Sequence, residues 1–333
     1  MTRPRFLPDN FTLLLVTTVL IASFFPCKGE VAEAFSWITM VSISLLFFLH
    51  GAKLSREAVL EGALHWRLHL TVLAFTFVLF PLLGLVFKPV FLPLVTPDLY
   101  LGILFLCTLP STVQSSIAFT SVARGNVPAA VCSASASNLI GIFLTPLLVG
   151  LIVVTHSQQH GEFDAILKIL LQLLLPFVAG QIARRWIGKW VDKNKSMLKV
   201  VDQGSILLVV YTAFSEAVVR GLWQQLPALS LLGLVLVLIV LLFAMLAIAT
   251  FISRRLGFSK ADEITMVFCG SKKSLASGIP MANVLFAGHI VGMVVLPLML
   301  FHQIQLMVCA FLARRYASRP RTEEEIKQGT LEE

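Results

Sequence analysis

Ten apolar stretches of about 20 residues, separated by short connections that carry most of the positive charge, constrain what this chain can become. A helix needs about 20 apolar residues to cross about 30 Å of hydrocarbon. In lipid the backbone N–H and C=O groups must be satisfied internally, which helices do within one segment. The stretches are 11–25, 31–50, 68–87, 99–124, 127–154, 164–187, 199–219, 228–252, 261–287 and 290–312. The chain is 57% apolar and 13% charged, against roughly 25% charged in an ordinary soluble domain. An all-α integral membrane protein is therefore expected. Arg3 and Arg5 before the first run imitate a signal peptide, but the run ends in Phe24-Phe25-Pro26-Cys27 instead of a small-residue cleavage site, so a retained helix is expected. Cys107, Cys132, Cys269 and Cys309 lie inside apolar runs, which leaves no disulfide framework.

Charge supplies the topology. With the amino terminus inside, the segments on that side hold 20 of the 26 Lys and Arg residues; the other side holds Lys28, Lys88, Lys168 and Arg220, and Lys272 and Lys273 fall within the ninth run. Short cytoplasmic loops concentrate Lys and Arg. One missed helix would reverse the side of every later loop and destroy the bias. Ten crossings with both termini cytoplasmic follow, as a multi-pass protein of a bacterial inner (plasma) membrane. The basic clusters thus read as topology signals; the lipid bilayer is the expected partner, and no nucleic acid is.

Two runs are interrupted. In the fourth, Leu99–Leu109 is followed by Pro110-Ser111-Thr112-Val113-Gln114-Ser115-Ser116 before apolar residues resume. Pro110 removes a backbone donor, and Ser111 and Gln114 have the spacing of a capping box, so a helix end followed by a helix start is expected. In the ninth, Ile264–Cys269 is followed by Gly270-Ser271-Lys272-Lys273-Ser274-Leu275-Ala276-Ser277-Gly278. At about 1.5 Å per residue, Lys272 lies about 16 Å from one face and Thr112 about 20 Å from the other. Both interruptions fall near the midplane, in the fourth helix of each five-helix half. Five is odd, so the halves enter the membrane inverted, and matching interruptions in inverted halves point to a transporter's binding site.

The candidate substrate and ion ligands are Ser111, Thr112, Gln114, Ser115, Ser116, Asn138, Ser271, Lys272, Lys273 and Ser274. A lysine at the centre of a membrane helix costs about 2.5–3.5 kcal/mol, which points to function for an adjacent pair. At least one ammonium is expected to face an aqueous cavity, pairing with an anionic substrate or standing where a coupling cation would. The resumed helices add unpaired N–H groups and a partial positive charge at their amino ends. Lys272, Lys273 and His302 are the candidate proton-linked groups. Ser133, Ser135 and Ser137 read as packing residues, and Glu216 as the partner of Arg220 one turn on. No metal or cofactor site is read.

These residues resemble the bile acid:sodium symporter family, in particular bacterial symporters related to the vertebrate sodium/bile acid cotransporter-like protein of calcium homeostasis. The resemblance spans about residues 8–315. It is carried by Leu109-Pro110-Ser111-Thr112-Val113-Gln114-Ser115-Ser116, Ala123-Arg124-Gly125-Asn126-Val127, Thr145-Pro146 and Gly270-Ser271-Lys272-Lys273-Ser274-Leu275. It implies ten helices in inverted repeats, residues 1–155 and 156–315, with a cytoplasmic tail 316–333. It also implies crossed broken helices 4 and 9, and core and panel domains each drawn from both repeats. In sodium-coupled relatives the cations are held by polar residues of the broken fourth helix, hydroxyls of the fifth and a glutamate at the ninth-helix break. Ser115 and Ser116 match the first set. The hydroxyl positions fall on Ala130 and Ala134, and residues 264–288 contain no glutamate. Sodium coupling is therefore in question, because Lys272 or Lys273 puts positive charge where a cation would sit.

The expected function is secondary active, symporter-like transport of a small organic anion by alternating access, with lysine charge replacing one or both sodium ions. The alternatives are a proton-linked or uncoupled carrier, or a non-transporting membrane regulator of ion homeostasis. An enzyme is not expected: HExxH, GxSxG, GxGD and phosphate-loop motifs are absent from the sequence.

Overall fold

The computed structural model describes residues 10–53, 65–153, 162–286 and 291–319. Arg3, Arg5, Arg56, the turn at 287–290 and the tail from 320 lie outside the described residues. Among those described, twelve helices account for nearly all the structure. They are α1 (Asn10–Phe24), α2 (Glu30–Lys53), α3 (Trp66–Val86), α4 (Pro97–Thr108), α5 (Val113–Val122) and α6 (Val127–Val153). α7 (Glu162–Lys193), α8 (Lys195–Val219), α9 (Ala228–Arg255), α10 (Lys260–Gly270), α11 (Leu275–Leu285) and α12 (Val291–Ala317) follow, with single turns at Lys88–Phe91 and Leu222–Gln225.

Local chemistry sets the ends. Thr96 accepts from the Leu99 N–H ahead of Pro97 and Asp98, and Ser259 accepts from the Asp262 N–H, so α4 and α10 begin with capped, acidic first turns. α9 finishes in Arg254 and Arg255, and Gly257 takes the left-handed conformation that turns the chain into α10.

Among the described residues, six helices are long and apolar enough to cross a membrane: α2, α3, α6, α8, α9 and α12. α4 and α5 pass the same test as a pair, bent by 64° at their break. α1, at 15 residues, and α10 and α11, at 11 residues each, are shorter.

The helices pack in two groups. α1, α2, α7 and α8 lie on one another, and α3 to α6 pack with α9 to α12. The groups meet where α8 touches α11 and α12 and where α7 touches α6. In the first group the α2–α7 crossing is the tightest. A Cβ on Gly180 would stand 1.9 Å from the Phe48 carbonyl oxygen, and one on Gly51 2.0 Å from that of Phe177, so the crossing exists only with glycine at both positions. Charged groups secure one end of this group, where Lys53 pairs with Asp202 and Arg184 donates to the Ala52 carbonyl at 2.6 Å. In the second group Ile103, Phe105, Leu106, Phe268, Val295, Leu298 and Phe301 are fully buried, and Gly102 lets α4 approach the Val294 carbonyl of α12.

Candidate functional site

Each break leaves backbone groups without helical partners, and the two breaks satisfy each other. After Thr108 the chain extends through Leu109 (ψ 154°) and re-enters a helix at Val113; after Gly270 it leaves again until Leu275. At the first break the Thr108 carbonyl accepts from Thr145 Oγ1 at 2.9 Å, the Pro110 carbonyl from the Ser274 N–H at 2.8 Å, and the Ser111 carbonyl from Asn138 Nδ2 at 2.6 Å. The Ser111 N–H donates to Ser137 Oγ at 3.0 Å. Across the contact, Ser111 Oγ donates to the Cys269 carbonyl at 2.6 Å, Ser116 Oγ to that of Phe268 at 3.0 Å, and Thr112 Oγ1 to that of Lys273 at 2.9 Å. Gln305 of α12 clamps the Lys273 peptide, its Oε1 accepting from the Lys273 N–H and its Nε2 donating to the Lys273 carbonyl, both at 3.0 Å.

The ammonium groups complete this accounting. Lys273 Nζ donates to the carbonyls of Thr76, Cys107 and Leu109 at 2.8, 2.8 and 2.7 Å and lies 4.1 Å from the Phe80 ring centre. A lysine has three N–H donors, and all three are used. Cys107 and Leu109 offer carbonyls because α4 ends there. Thr76 offers one for a subtler reason: residues 75–79 form a π turn in which the Phe80 N–H bonds the Phe75 carbonyl. The next residue, Pro81, has no N–H to give. The Thr76 oxygen is thereby released from the helix ladder. Lys272 Nζ donates to the Ser115 carbonyl at 2.9 Å and sits over the rings of Phe119 (4.0 Å) and Phe268 (5.3 Å), a cation–π arrangement.

The structure differs here from two expectations. Neither ammonium opens onto an aqueous cavity: both lysines are 0% exposed, and neither the 630 Å³ nor the 170 Å³ cavity touches them. Backbone carbonyls supply their polar surroundings: those freed at the π turn and at the end of α4 for Lys273, and that of Ser115 in the first turn of α5 for Lys272. The capping box does not form either. α5 begins after Thr112 without a side-chain cap, because the Ser111 hydroxyl is drawn across to Cys269; the working cap is on α11, where Ser274 Oγ accepts from the Ser277 N–H.

The remaining candidates divide. Asn138 bridges both breaks, donating to the carbonyls of Ser111 and Ala134 and accepting from Ser277 Oγ at 2.8 Å, while Ser274 Oγ donates to Ser277 Oγ at 3.0 Å. Ser271 turns back to the Val267 carbonyl of its own helix. The Ser115 hydroxyl is buried without a hydrogen-bond partner among the described residues, and Gln114 is exposed on the first turn of α5. His302 stands behind the break, its Nδ1 2.9 Å from Gln305 Nε2. Ala130 and Ala134 are fully buried and bring no hydroxyl. Ser277, Gln305 and Thr76 were not among the candidates. Ser277 follows Ser274 by three residues, Gln305 is an amide inside an apolar run, and Pro81 in the third run is the trace of the freed Thr76 carbonyl.

Glu216 and Arg220 pair at 2.6 Å as their spacing implies, and all five cysteines are free and buried, Cys27 included.

Residues 9–318 match the SBF-like CPA transporter family. The chain is 67% identical over 319 residues to "Uncharacterized protein PA2026" of Pseudomonas aeruginosa, covering 96% of each chain. It is 62% identical over 311 residues to "Putative symporter YfeH" of Escherichia coli, covering 92% of each. It is 29% identical over 305 residues to sodium/bile acid cotransporter 7 of Danio rerio, covering 90% of each. With an all-helical fold and several helices fit to cross a membrane, these matches over nearly the full length show a membrane-embedded transporter of small molecules, not an enzyme: the chain belongs to the SBF-like CPA transporter family, relatives of the bile acid:sodium symporters.

Proposed function

We propose that this protein is a secondary carrier of a small organic anion in which Lys272 and Lys273 stand where coupling sodium ions stand in its relatives, so that transport proceeds without sodium. One observation carries the reading. Lys273 Nζ is held by three backbone carbonyl oxygens from α3 and the end of α4, the kind of oxygen set that replaces the hydration shell of a monovalent cation. A sodium ion added about 4 Å from that ammonium would meet roughly 4 kcal/mol of repulsion at an effective dielectric constant near 20. The ammonium is a cation that cannot leave.

In this reading the ten runs are ten crossings of a bacterial inner membrane with both termini cytoplasmic. The halves 1–155 and 156–315 are inverted, α4/α5 and α10/α11 being the broken fourth and ninth crossings. The mutual satisfaction of the two breaks supports it. α1, α2, α7 and α8 act as the panel that rocks against the remaining helices, with the solute reached through Gln114, Asn138 and Ser277 beside the breaks. Lys272 favours one variant: it has a single carbonyl acceptor for three N–H donors, so it is the lysine that exchanges a proton if transport is proton-linked.

Uptake into liposomes by the purified chain, screened over organic anions in sodium or N-methylglucamine at fixed ionic strength, tests the proposal. Equal uptake in both cations is expected; sodium stimulation with stoichiometric sodium entry defeats it.

A further inference from the structure

The larger cavity lies away from the breaks. It is a cleft of about 630 Å³ between α2 and α8, at the end of the pair opposite the Lys53–Asp202 contact. Its volume is in the range of small-ligand sites. Cys27 and Thr212, both buried, belong to its lining, and Thr212 Oγ1 shares a hydrogen bond with Thr39 Oγ1 at 2.9 Å. Two cations and two carboxylates surround the mouth: Lys28, Arg220, Glu33 and Glu216. Glu216 and Arg220 pair with each other, whereas Lys28 and Glu33, both exposed, enter no ion pair among the described residues.

Depth distinguishes two levels of the α2 wall. Counted at about 1.5 Å per residue from the start of α2, Glu33 stands about 5 Å and Trp37 about 10 Å into the helix. Charge therefore lies at the end of the helix and apolar surface just inside it, the order in which headgroups and hydrocarbon succeed each other at a bilayer edge. Trp37 is 69% exposed and Met40 47%, on the same lining. An exposed tryptophan at this level is typical of a membrane–water interface.

We propose that this cleft binds one zwitterionic phospholipid of the phosphoethanolamine type. Its phosphate lies at Lys28, its ammonium at Glu33, and its first acyl carbons run along Trp37 and Met40. Charge complementarity selects this occupant. The four rim charges cancel, so an anionic headgroup finds as much repulsion as attraction, while a zwitterion matches both signs at once. A primary ammonium gives N–H donors to the Glu33 carboxylate, a charge-assisted bond that a quaternary choline headgroup cannot make. This inference is independent of the coupling reading.

The test is native mass spectrometry of the full chain released from mixed micelles holding equal amounts of phosphatidylethanolamine, phosphatidylcholine and phosphatidylglycerol with the same acyl chains. Retention of phosphatidylethanolamine about threefold above either competitor is expected. That preference should fall to about one in the Lys28→Gln/Glu33→Gln double variant, whose substitutions are exposed and leave the helices intact. Trp37→Ala should weaken retention of all three lipids while keeping their order. Equal retention of the three headgroups, a preference unchanged in the double variant, or a preference for phosphatidylglycerol overturns the proposal. So does displacement of the bound lipid by free phosphoethanolamine at matched concentration, which would make the cleft a solute site.

Discussion

Replacing Lys273 by alanine removes a cation and leaves its cage. The three carbonyls of Thr76, Cys107 and Leu109, now 2.7–2.8 Å from Nζ, lose their donor in a site with no exposure. An unpaired buried acceptor costs about 1–3 kcal/mol, so the three together cost about 3–9 kcal/mol, with water entry into the vacated space favouring the lower end. Thermal unfolding of the purified protein in detergent reads the loss. The decisive comparison is between salts at fixed ionic strength. Sodium or methylammonium should re-enter the empty cage and raise the melting temperature of Lys273→Ala above its value in N-methylglucamine. A ligand at 100 times its Kd contributes about 2.7 kcal/mol. The parent protein, whose cage is filled, should not respond. Lys273→Met should lose stability comparably but resist rescue, since its side chain blocks the space. If Lys273→Ala melts with the parent, or if the small cations protect parent and variant equally, the cage argument is wrong.

Three further perturbations test the packing around the site by the same melting assay. Asn138→Leu strips the Ser111 carbonyl and the Ser277 hydroxyl of their partner and should cost about 2–4 kcal/mol, whereas Ser277→Ala should cost about 1 kcal/mol. Gly180→Ala and Gly51→Ala each force α2 and α7 apart and should each cost at least about 1–3 kcal/mol. The double variant should fall well short of the sum, because either methyl group alone already separates the pair; additive losses would refute the shared crossing. Glu263, 4% exposed, accepts from Lys260 at 2.6 Å, Arg254 at 3.3 Å and Tyr316 at 3.2 Å, joining α9, α10 and α12. Glu263→Gln should cost about 1–3 kcal/mol, and a neutral result would mean that those contacts do not hold the three helices together.

What could be read from the residues alone, and what could not, follows from where the information sits. Pro110 and the Lys272-Lys273 pair stand out because polar or donor-less residues are costly in an apolar run, and both breaks lie where those residues place them. The helix starts at Pro97 and Lys260 fall one or two residues before the apolar runs at 99 and 261, because hydroxyl caps at Thr96 and Ser259 that hydropathy does not register begin the helices there. The partners of the lysines are not legible in the sequence. They are backbone carbonyls, which every residue has: the π turn and the end of α4 free the three that hold Lys273, and the packing of α10 on α5 brings the Ser115 carbonyl to Lys272. The Ser111 hydroxyl misleads for a related reason: its spacing to Gln114 favours a local cap, but a carbonyl brought from 158 residues away is the partner it takes. Helix ends drift where charge permits. α7 continues through Lys193, past the apolar run at 164–187, because its backbone hydrogen bonds are made within the segment whatever the side chains, and Lys189, Asp192 and Lys193 are exposed on its last turns.

Equilibrium binding of radioactive sodium to the purified parent protein addresses the coupling reading directly, because it needs no knowledge of the solute. An ammonium already occupying the carbonyl cage predicts no saturable sodium uptake by the parent and its appearance in Lys273→Ala. Saturable binding of one or two sodium ions per parent chain would contradict the account.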